Sequence, residues 1–294
     1  MVLHGVIPAV LTPFTRTGEV DGPRLRAYVE WLVDKGVHGL FPCGTNGEGP
    51  VMTPGQRRTV LHEVLEAANG RVPVVAMTGS VSTDETISLT RHAHQAGAAG
   101  AAIVAPYYFP YDDPALEAHF AAVAEAVPDF ELYLYNIPGN ARNEISPALA
   151  TRLARRYPCI AGVKDSSKSA DKLKAFIAAL PGKAVIVGTD TMLYEALEAG
   201  ATGVVSAVAD CFPEVMVSIY EDYMAGRKAA AQATQAQANL LRDALKLGPY
   251  IHPYKLAVSW RGLDFGGMRP PLRECTADEA ATVRGALVKL GMLS

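Results

Sequence analysis

A lysine at the end of an apolar run is the residue of this sequence best suited to covalent chemistry. Lys164 follows CIAGV, residues 159–163, a composition that predicts a buried strand with hydrophobic walls around the lysine stem. Burial disfavours the ammonium form and lowers the lysine pKa, as an amine requires to attack a ketone at neutral pH. The alternative is a lysine that reaches solvent or pairs with Asp165. We favour a Schiff-base lysine.

Three hydroxyl side chains are candidates for the proton transfers that imine chemistry needs. Tyr135 ends a neighbouring predicted strand, where it can serve both the carbinolamine and the carbon next to the iminium. Thr45 and Tyr108 follow two other predicted strands and would complete a hydroxyl relay. Taken alone, Tyr135 is more typical of a core or rim aromatic, so the prediction depends on the combination.

Two glycine-containing turns also follow predicted strands. GTNGE, residues 44–48, offers backbone N–H groups together with the Thr45 hydroxyl and the Asn46 amide, which suits the carboxylate of a 2-keto acid. An ordinary Gly/Asn turn is the alternative. The second turn is GTD, which runs from Gly188 to Asp190.

The elements that must position these residues alternate regularly along the chain. Short β-branched runs alternate with helical patterns to about residue 210, which is typical of successive βα units and a parallel sheet. Eight runs are predicted as strands: residues 5–10, 38–42, 73–77, 101–105, 131–135, 160–164, 184–187 and 203–206. We therefore predict an α/β fold, a (β/α)8 TIM barrel with functional groups at the carboxyl ends of its strands.

The alternation stops after the eighth run, where the sequence becomes rich in alanine and helix-forming residues. We predict a catalytic barrel over residues 1–225 and a small C-terminal helical extension over residues 226–294. The extension carries no obvious chemistry of its own.

Composition excludes several classes of protein. The formal net charge is only −3 and the basic residues are scattered, so the sequence has no footprint for nucleic acid or for anionic lipid. No apolar stretch is long enough to span a membrane and no signal peptide is indicated, so we expect a cytoplasmic protein. There is no metal-ligand spacing and no phosphate-binding loop, and we expect neither a metal nor a cofactor.

Five motifs in one order carry a family resemblance: GTNGE, APYY, YNIP, GVKDS and the late RPPL of residues 269–272. In this combination the chain resembles the dihydrodipicolinate synthase and N-acetylneuraminate lyase superfamily of class I pyruvate aldolases, from GVIPAVLTPF to VRGALVKLGML. The resemblance implies Lys164 as the Schiff-base lysine and Tyr135 as the proton shuttle. It also implies a homotetramer built from dimers, in which Tyr108 enters the site of the neighbouring subunit.

The same resemblance implies that pyruvate and an aldehyde are the substrates. The pyruvate carboxylate would lie at Thr45 and Asn46, near the backbone of Val205. Asn46 is similar to the 4-hydroxy-2-oxoglutarate aldolase branch. The GTD and RPPL segments are similar to 2-keto-3-deoxy-sugar-acid aldolases, in which Gly188 and Asp190 would lie near the substrate hydroxyls.

One departure from the family pattern bears on the second substrate. Dihydrodipicolinate synthases usually carry an arginine shortly after YNxP, where this chain has Asn140, although Arg142 is two residues away. We therefore favour an aldolase that cleaves a 2-keto-3-deoxy or 4-hydroxy-2-oxo acid into pyruvate and an aldehyde. The alternatives are 4-hydroxy-tetrahydrodipicolinate synthase, a keto-deoxy-acid dehydratase of the same superfamily, and a non-catalytic barrel that senses a ligand.

Overall fold

The structure, a computed structural model, describes residues 3–294 and has a parallel β-sheet at its centre. Its seven strands are β1 (Gly5–Pro8), β2 (Val75–Met77), β3 (Gly100–Val104), β4 (Leu132–Asn136), β5 (Ile160–Asp165), β6 (Ala184–Val187) and β7 (Gly203–Ser206). The strands pair in the order β1-β7-β6-β5-β4-β3-β2. Nearly every strand residue is buried, as expected of a parallel sheet covered on both faces. Seven of the eight predicted strands are thus confirmed.

The prediction of a regular strand over residues 38–42 is wrong, although this segment does connect the two edges of the sheet. The amide of His38 donates to the carbonyl of Val6. The amide of Phe41, three residues later, donates to the carbonyl of Pro8, which is only two residues beyond Val6. This extra residue breaks the regular ladder in the manner of a β-bulge. On its other side the segment makes backbone hydrogen bonds with β2 and one isolated bridge.

In the described part of the chain, twelve α-helices follow or flank the strands. They are α1 (Gly22–Asp34), α2 (Pro54–Ala68), α3 (Thr83–Gln95), α4 (Asp113–Ala126), α5 (Pro138–Ala141), α6 (Pro147–Arg156), α7 (Ala170–Ala179), α8 (Leu193–Ala199), α9 (Pro213–Met224), α10 (Lys228–Ala244), α11 (His252–Trp260) and α12 (Ala277–Lys289). The predicted helix starts are confirmed at two caps: Thr53 forms a capping box with Gln56, and the Ser82 hydroxyl accepts from the amide of Glu85.

The helical extension packs against the rest of the fold. Helix α10 contacts α8, α9 and α12, and the Gln235 amide group donates to the backbone carbonyl of Asp190, just beyond β6. The predicted division after residue 225 falls between α9 and α10 and stays a prediction. Within residues 3–294, no helix combines the length and apolar character that a membrane crossing requires.

Candidate active site

A cavity of about 210 Å³ lies at the carboxyl ends of the strands. Eight of the nine site residues predicted from the sequence line it, namely Thr45, Asn46, Tyr135, Asn140, Lys164, Gly188, Asp190 and Val205. Parallel strands present their carboxyl ends at one edge, so residues far apart in sequence meet there. The cavity is smaller than the ~300–1,000 Å³ typical of sites for drug-sized ligands, which favours a small substrate.

Lys164 lies near the end of β5 with its side chain packed between two aromatic rings. Its ammonium nitrogen Nζ is 3.9 Å from the ring centre of Phe41 and 3.8 Å from that of Tyr135, and the residue is only 5% exposed. Burial lowers the pKa of Lys164 to about 7, although the charges of Asp210 and Asp190 oppose this shift. A large fraction of the amine is therefore unprotonated and nucleophilic at neutral pH.

The alternative in which Lys164 pairs with Asp165 is not observed. Successive residues of a strand point to opposite faces, and the carboxylate of Asp165 accepts hydrogen bonds from Asn136 at 2.8 Å and from the Ser167 hydroxyl at 2.7 Å. The lysine is thus left facing the cavity, where a carbonyl carbon can approach it.

Tyr135 is the direct neighbour of Lys164 in the sheet, since the two residues are register partners in the β4–β5 pair. Its hydroxyl is 3.2 Å from the hydroxyl of Thr45. Burial raises the pKa of Tyr135 above its usual value, while hydrogen bonds with Thr45 and Ser166 act in the opposite direction. The phenol therefore stays protonated at neutral pH and can pass protons through a chain of hydroxyl groups.

Tyr108 is the one predicted residue that lies away from the cavity of its own chain. Its side chain is 76% exposed and contacts the ring of Phe109, and its backbone φ of 86° is unusual for a residue with a side chain. Tyr107 instead lines a smaller adjacent cavity together with Thr45 and Tyr135. The entry of Tyr108 into the site of a neighbouring subunit stays a prediction.

Buried ionisable side chains hold the GTNGE turn in place. The Asn46 amide donates to the carboxylate of Asp210 at 3.0 Å, and burial raises the pKa of Asp210 well above its usual value. Glu48 accepts from the backbone amide of Arg269 and pairs with Lys255 of α11, and both members of that ion pair are fully buried. The turn therefore depends on the C-terminal helices for its position.

The GTD turn places Gly188 and Asp190 at the cavity wall in different roles. A Cβ on Gly188 would lie 1.9 Å from the Ser166 hydroxyl oxygen, so a larger residue there would displace the Ser166 side chain. One carboxylate oxygen of Asp190 accepts from the Ser206 hydroxyl at 2.6 Å and from two backbone amides, of Ala207 and Val208. The role of Asp190 beside the substrate hydroxyls stays a prediction, although one of its carboxylate oxygens already accepts these three hydrogen bonds.

The sequence analysis missed the contribution of the helical extension and of the loop after β5. Arg242 of α10, Tyr250 of the following loop and Lys168 also line the cavity. Arg242 pairs with Asp190 at 3.1 Å, and Tyr250 hydrogen-bonds Asn140. No strand-end pattern marks these positions. Arg142, by contrast, is exposed and is absent from the cavity lining.

Among residues 3–294 there is no group of three or more His, Cys, Asp or Glu side chains arranged to hold a metal ion. The chemistry that the cavity offers comes from two amines, of which Lys164 is buried, two phenols, aliphatic hydroxyls, one carboxylate and one guanidinium. A lysine of lowered pKa beside a tyrosine at a strand end supplies the groups that a lyase of the imine-forming type requires.

Comparisons with known proteins agree with that class. Residues 2–290 match the Dihydrodipicolinate synthetase family. An uncharacterised DapA-like lyase of Halobacterium salinarum is 40% identical over 99% of this chain and 95% of its own length. A 4-hydroxy-tetrahydrodipicolinate synthase of Thermus thermophilus is 36% identical over 99% of this chain and 98% of its own.

Solved structures give the same result. YagE, a prophage protein of E. coli solved in complex with pyruvate, superposes with a TM-score of 0.96 at 30% identity, over 99% of this chain and 100% of its own. Dihydrodipicolinate synthase from Acinetobacter baumannii, also complexed with pyruvate, superposes with a TM-score of 0.93 at 34% identity over the same shares. The chain belongs to the dihydrodipicolinate synthetase family and is a carbon–carbon lyase.

Proposed function

We propose that this protein is a class I aldolase that binds pyruvate covalently at Lys164 inside a (β/α)8 barrel. The enzyme reversibly cleaves a 2-keto-3-deoxy or 4-hydroxy-2-oxo acid into pyruvate and an aldehyde. The observation that carries the proposal is the buried Lys164 amine, held between the rings of Phe41 and Tyr135 with its pKa lowered to about 7.

The geometry supports a conventional imine sequence. The Lys164 amine attacks the keto carbon of pyruvate to give a carbinolamine, and loss of water gives the imine. Tyr135 supplies the proton that leaves with this water, with Thr45 at 3.2 Å as its hydroxyl partner. Removal of a proton from the methyl group then gives an enamine, whose carbon attacks the aldehyde and forms the new carbon–carbon bond. The aldehyde oxygen takes up a proton, and water releases the product and the free amine.

Pyruvate as the donor is supported by two structural neighbours that were solved with pyruvate bound. Its carboxylate would lie on the GTNGE turn at Thr45 and Asn46, near the backbone of Val205. These residues line the same cavity as Lys164. Because the turn presents backbone N–H groups, it needs no additional cation for this purpose.

A 4-hydroxy-tetrahydrodipicolinate synthase is the second candidate, because several relatives at 36% identity bear that name. Asn140 stands at the position where the resemblance predicts an arginine for aspartate semialdehyde, and the exposed Arg142 does not line the cavity. We therefore favour cleavage of a keto-deoxy acid.

Product analysis tests the proposal. The purified protein is incubated with racemic 2-keto-3-deoxy acids of four to six carbons, and pyruvate and aldehyde are quantified against the Lys164→Ala variant. We expect equal amounts of the two products from wild type only. Loss of water without release of pyruvate would identify a dehydratase. Turnover of pyruvate with aspartate semialdehyde alone would identify the synthase.

The assembly and the location of the protein stay predictions. We expect a homotetramer built from dimers, with Tyr108 of each subunit near the site of its neighbour, and a cytoplasmic protein that needs no metal or cofactor. Light scattering of the purified protein measures the number of subunits. A Tyr108→Phe variant with reduced turnover in an intact tetramer would support the contact between Tyr108 and the site of the neighbouring subunit.

A further inference from the structure

Arg242 is an unexpected cation in the wall of the Lys164 cavity. It lies in the last turn of α10, and its side chain is 24% exposed. Its Nε atom is 3.1 Å from the Asp190 carboxylate, and its Nη1 atom donates to the hydroxyl of Tyr254. These two contacts hold the guanidinium in one orientation on the helical side of the cavity.

Asp190, the carboxylate partner of Arg242, is itself held in place by hydrogen bonds. The other carboxylate oxygen of Asp190 accepts three hydrogen bonds from the last residue of β7 and the two residues after it, and its backbone carbonyl accepts from Gln235 of α10. With the described residues, the Nη2 atom of Arg242 makes neither a hydrogen bond nor an ion pair. A planar donor group is therefore held ready with one edge available to a ligand.

The charges around the cavity favour an anionic ligand. Besides Lys164, its ionisable lining consists of the cations Arg242 and Lys168 and the anion Asp190, together with the phenols of two tyrosines. While Lys164 carries pyruvate as the iminium, the positive iminium nitrogen and the pyruvate carboxylate offset each other, and one positive charge remains among the lining groups. An anionic aldehyde is therefore attracted to the cavity before the iminium loses a proton to become the neutral enamine.

We propose that Arg242 binds an anionic group, a carboxylate or a phosphate, on the aldehyde that reacts with the pyruvate unit on Lys164. This inference rests on the proposed aldolase function and specifies its substrate class. Asp190 acts as a positioning residue that orients the guanidinium. The cation thus comes from helix α10, whereas Asn140, two residues after the YNIP motif, is neutral and hydrogen-bonded to Tyr250.

The test compares three aldehydes with pyruvate as the donor: glyoxylate, which carries a carboxylate, glyceraldehyde 3-phosphate, and the neutral glyceraldehyde. They are assayed with wild type, Arg242→Gln, Arg242→Lys and the control Arg227→Gln, in which an exposed arginine at the start of α10 is changed. Arg242→Gln should lower kcat/KM for the preferred anionic aldehyde by about 10- to 100-fold, mainly through KM, because a hydrogen bond to a charged group is lost. It should change kcat/KM for glyceraldehyde by less than about threefold.

The conservative variant and the control sharpen the result. Arg242→Lys keeps the charge but not the planar donor pair, so we expect partial recovery. Arg227→Gln should match wild type. Whichever of the two anionic aldehydes loses more activity identifies the group as carboxylate or phosphate. An equal loss for all three aldehydes, or an unchanged preference in Arg242→Gln, would overturn the proposal.

A binding measurement separates this inference from the proposed function. Glycolate, glycerol 3-phosphate and glycerol mimic the three aldehydes but cannot react, and they are titrated by calorimetry into the pyruvate-reduced enzyme. If no pyruvate adduct forms, that result contradicts the proposed aldolase function without testing Arg242. The titrations are then made on the unmodified protein. Anion binding that Arg242→Gln does not weaken would contradict the inference in either case.

Discussion

The two walls of the active-site cavity differ in how their side chains reach it. On the sheet wall, Lys164 and Tyr135 extend from paired positions of adjacent strands, so the sheet itself sets their separation. On the helical wall, Arg242 and Tyr250 come from α10 and the loop after it, and their positions depend on packing and on the ion pair with Asp190. The sheet wall thus carries the reactive groups, and the helical wall carries the groups that recognise the aldehyde.

This difference teaches where each kind of change should act. Substitutions on the sheet wall should reduce the rate of the reaction while leaving the fold intact, because their neighbours are other strands of a buried sheet. Substitutions in the helical extension should alter substrate choice or stability. The following predictions test this separation, from the largest expected effect to the smallest.

Lys164→Met should have the largest effect on the reaction. We expect a loss of turnover of roughly 10⁵-fold, since the nucleophile is removed. The folded lysine has a pKa of about 7, whereas the unfolded one keeps a value near 10.5. Below pH 7 the native state therefore carries the full cost of a buried charge, and this cost falls as pH rises from 7 to 10.5.

The stability of that variant follows from the same pKa shift. Lys164→Met should raise the free energy of unfolding by up to about 5 kcal/mol at pH 7 or below, the amount that corresponds to lowering this pKa from 10.5 to about 7, with the gain disappearing near pH 10.5. Urea unfolding at several pH values measures it. A Lys164→Met protein that is active, or less stable than wild type at pH 6, would contradict the account.

Tyr135→Phe should lower kcat by about 10³-fold, because the phenol that transfers protons is lost while the ring beside Lys164 remains. The matched control is Tyr133→Phe, two residues earlier in β4, whose hydroxyl binds Glu131. It should retain turnover within about threefold of wild type. Equal losses in the two variants would mean that Tyr135 has only a packing role.

Lys255→Met tests how the helical extension supports the GTNGE turn of the sheet wall. The change leaves Glu48 buried below the GTNGE turn without its cation, and we expect a loss of about 3 kcal/mol in the free energy of unfolding. Adding Glu48→Gln should recover most of this loss, because the amide oxygen can still accept from Arg269. Lys228→Met, which breaks an exposed pair with Glu198, should cost less than about 1 kcal/mol. A similar loss in both lysine variants would reject the supporting role of the buried pair.

The pH dependence of imine formation is the smallest effect. Only the neutral amine attacks a ketone, and the pKa of Lys164 is about 7. The rate of pyruvate trapping should therefore fall about tenfold for each pH unit below 7 and level off above it. A stopped-flow or quenched series from pH 5 to 10 measures the profile, and a rate that keeps rising to pH 10 would show that burial does not activate this lysine.

The two walls also differ in how far the sequence predicted them. Strand ends carry a local signal, an apolar run that stops at a polar residue, and the two residues that this signal marks, Lys164 and Tyr135, line one cavity. Residues 38–42 carry the same signal but form no regular strand, because one additional residue opposite β1 interrupts the ladder. Arg242 has no local signal at all, since its helix is mostly alanine and polar residues, and only tertiary packing brings it to the site.

Intact-protein mass after incubation with pyruvate and borohydride tests the central claim most directly. Reduction converts the imine into a stable secondary amine, with the keto oxygen lost as water and two hydrogens gained. The account predicts a single such increment on wild type, located at Lys164 by peptide mapping, and none on the folded Lys164→Ala variant. No increment on wild type, or the same increment on both proteins, would contradict a Schiff base at Lys164.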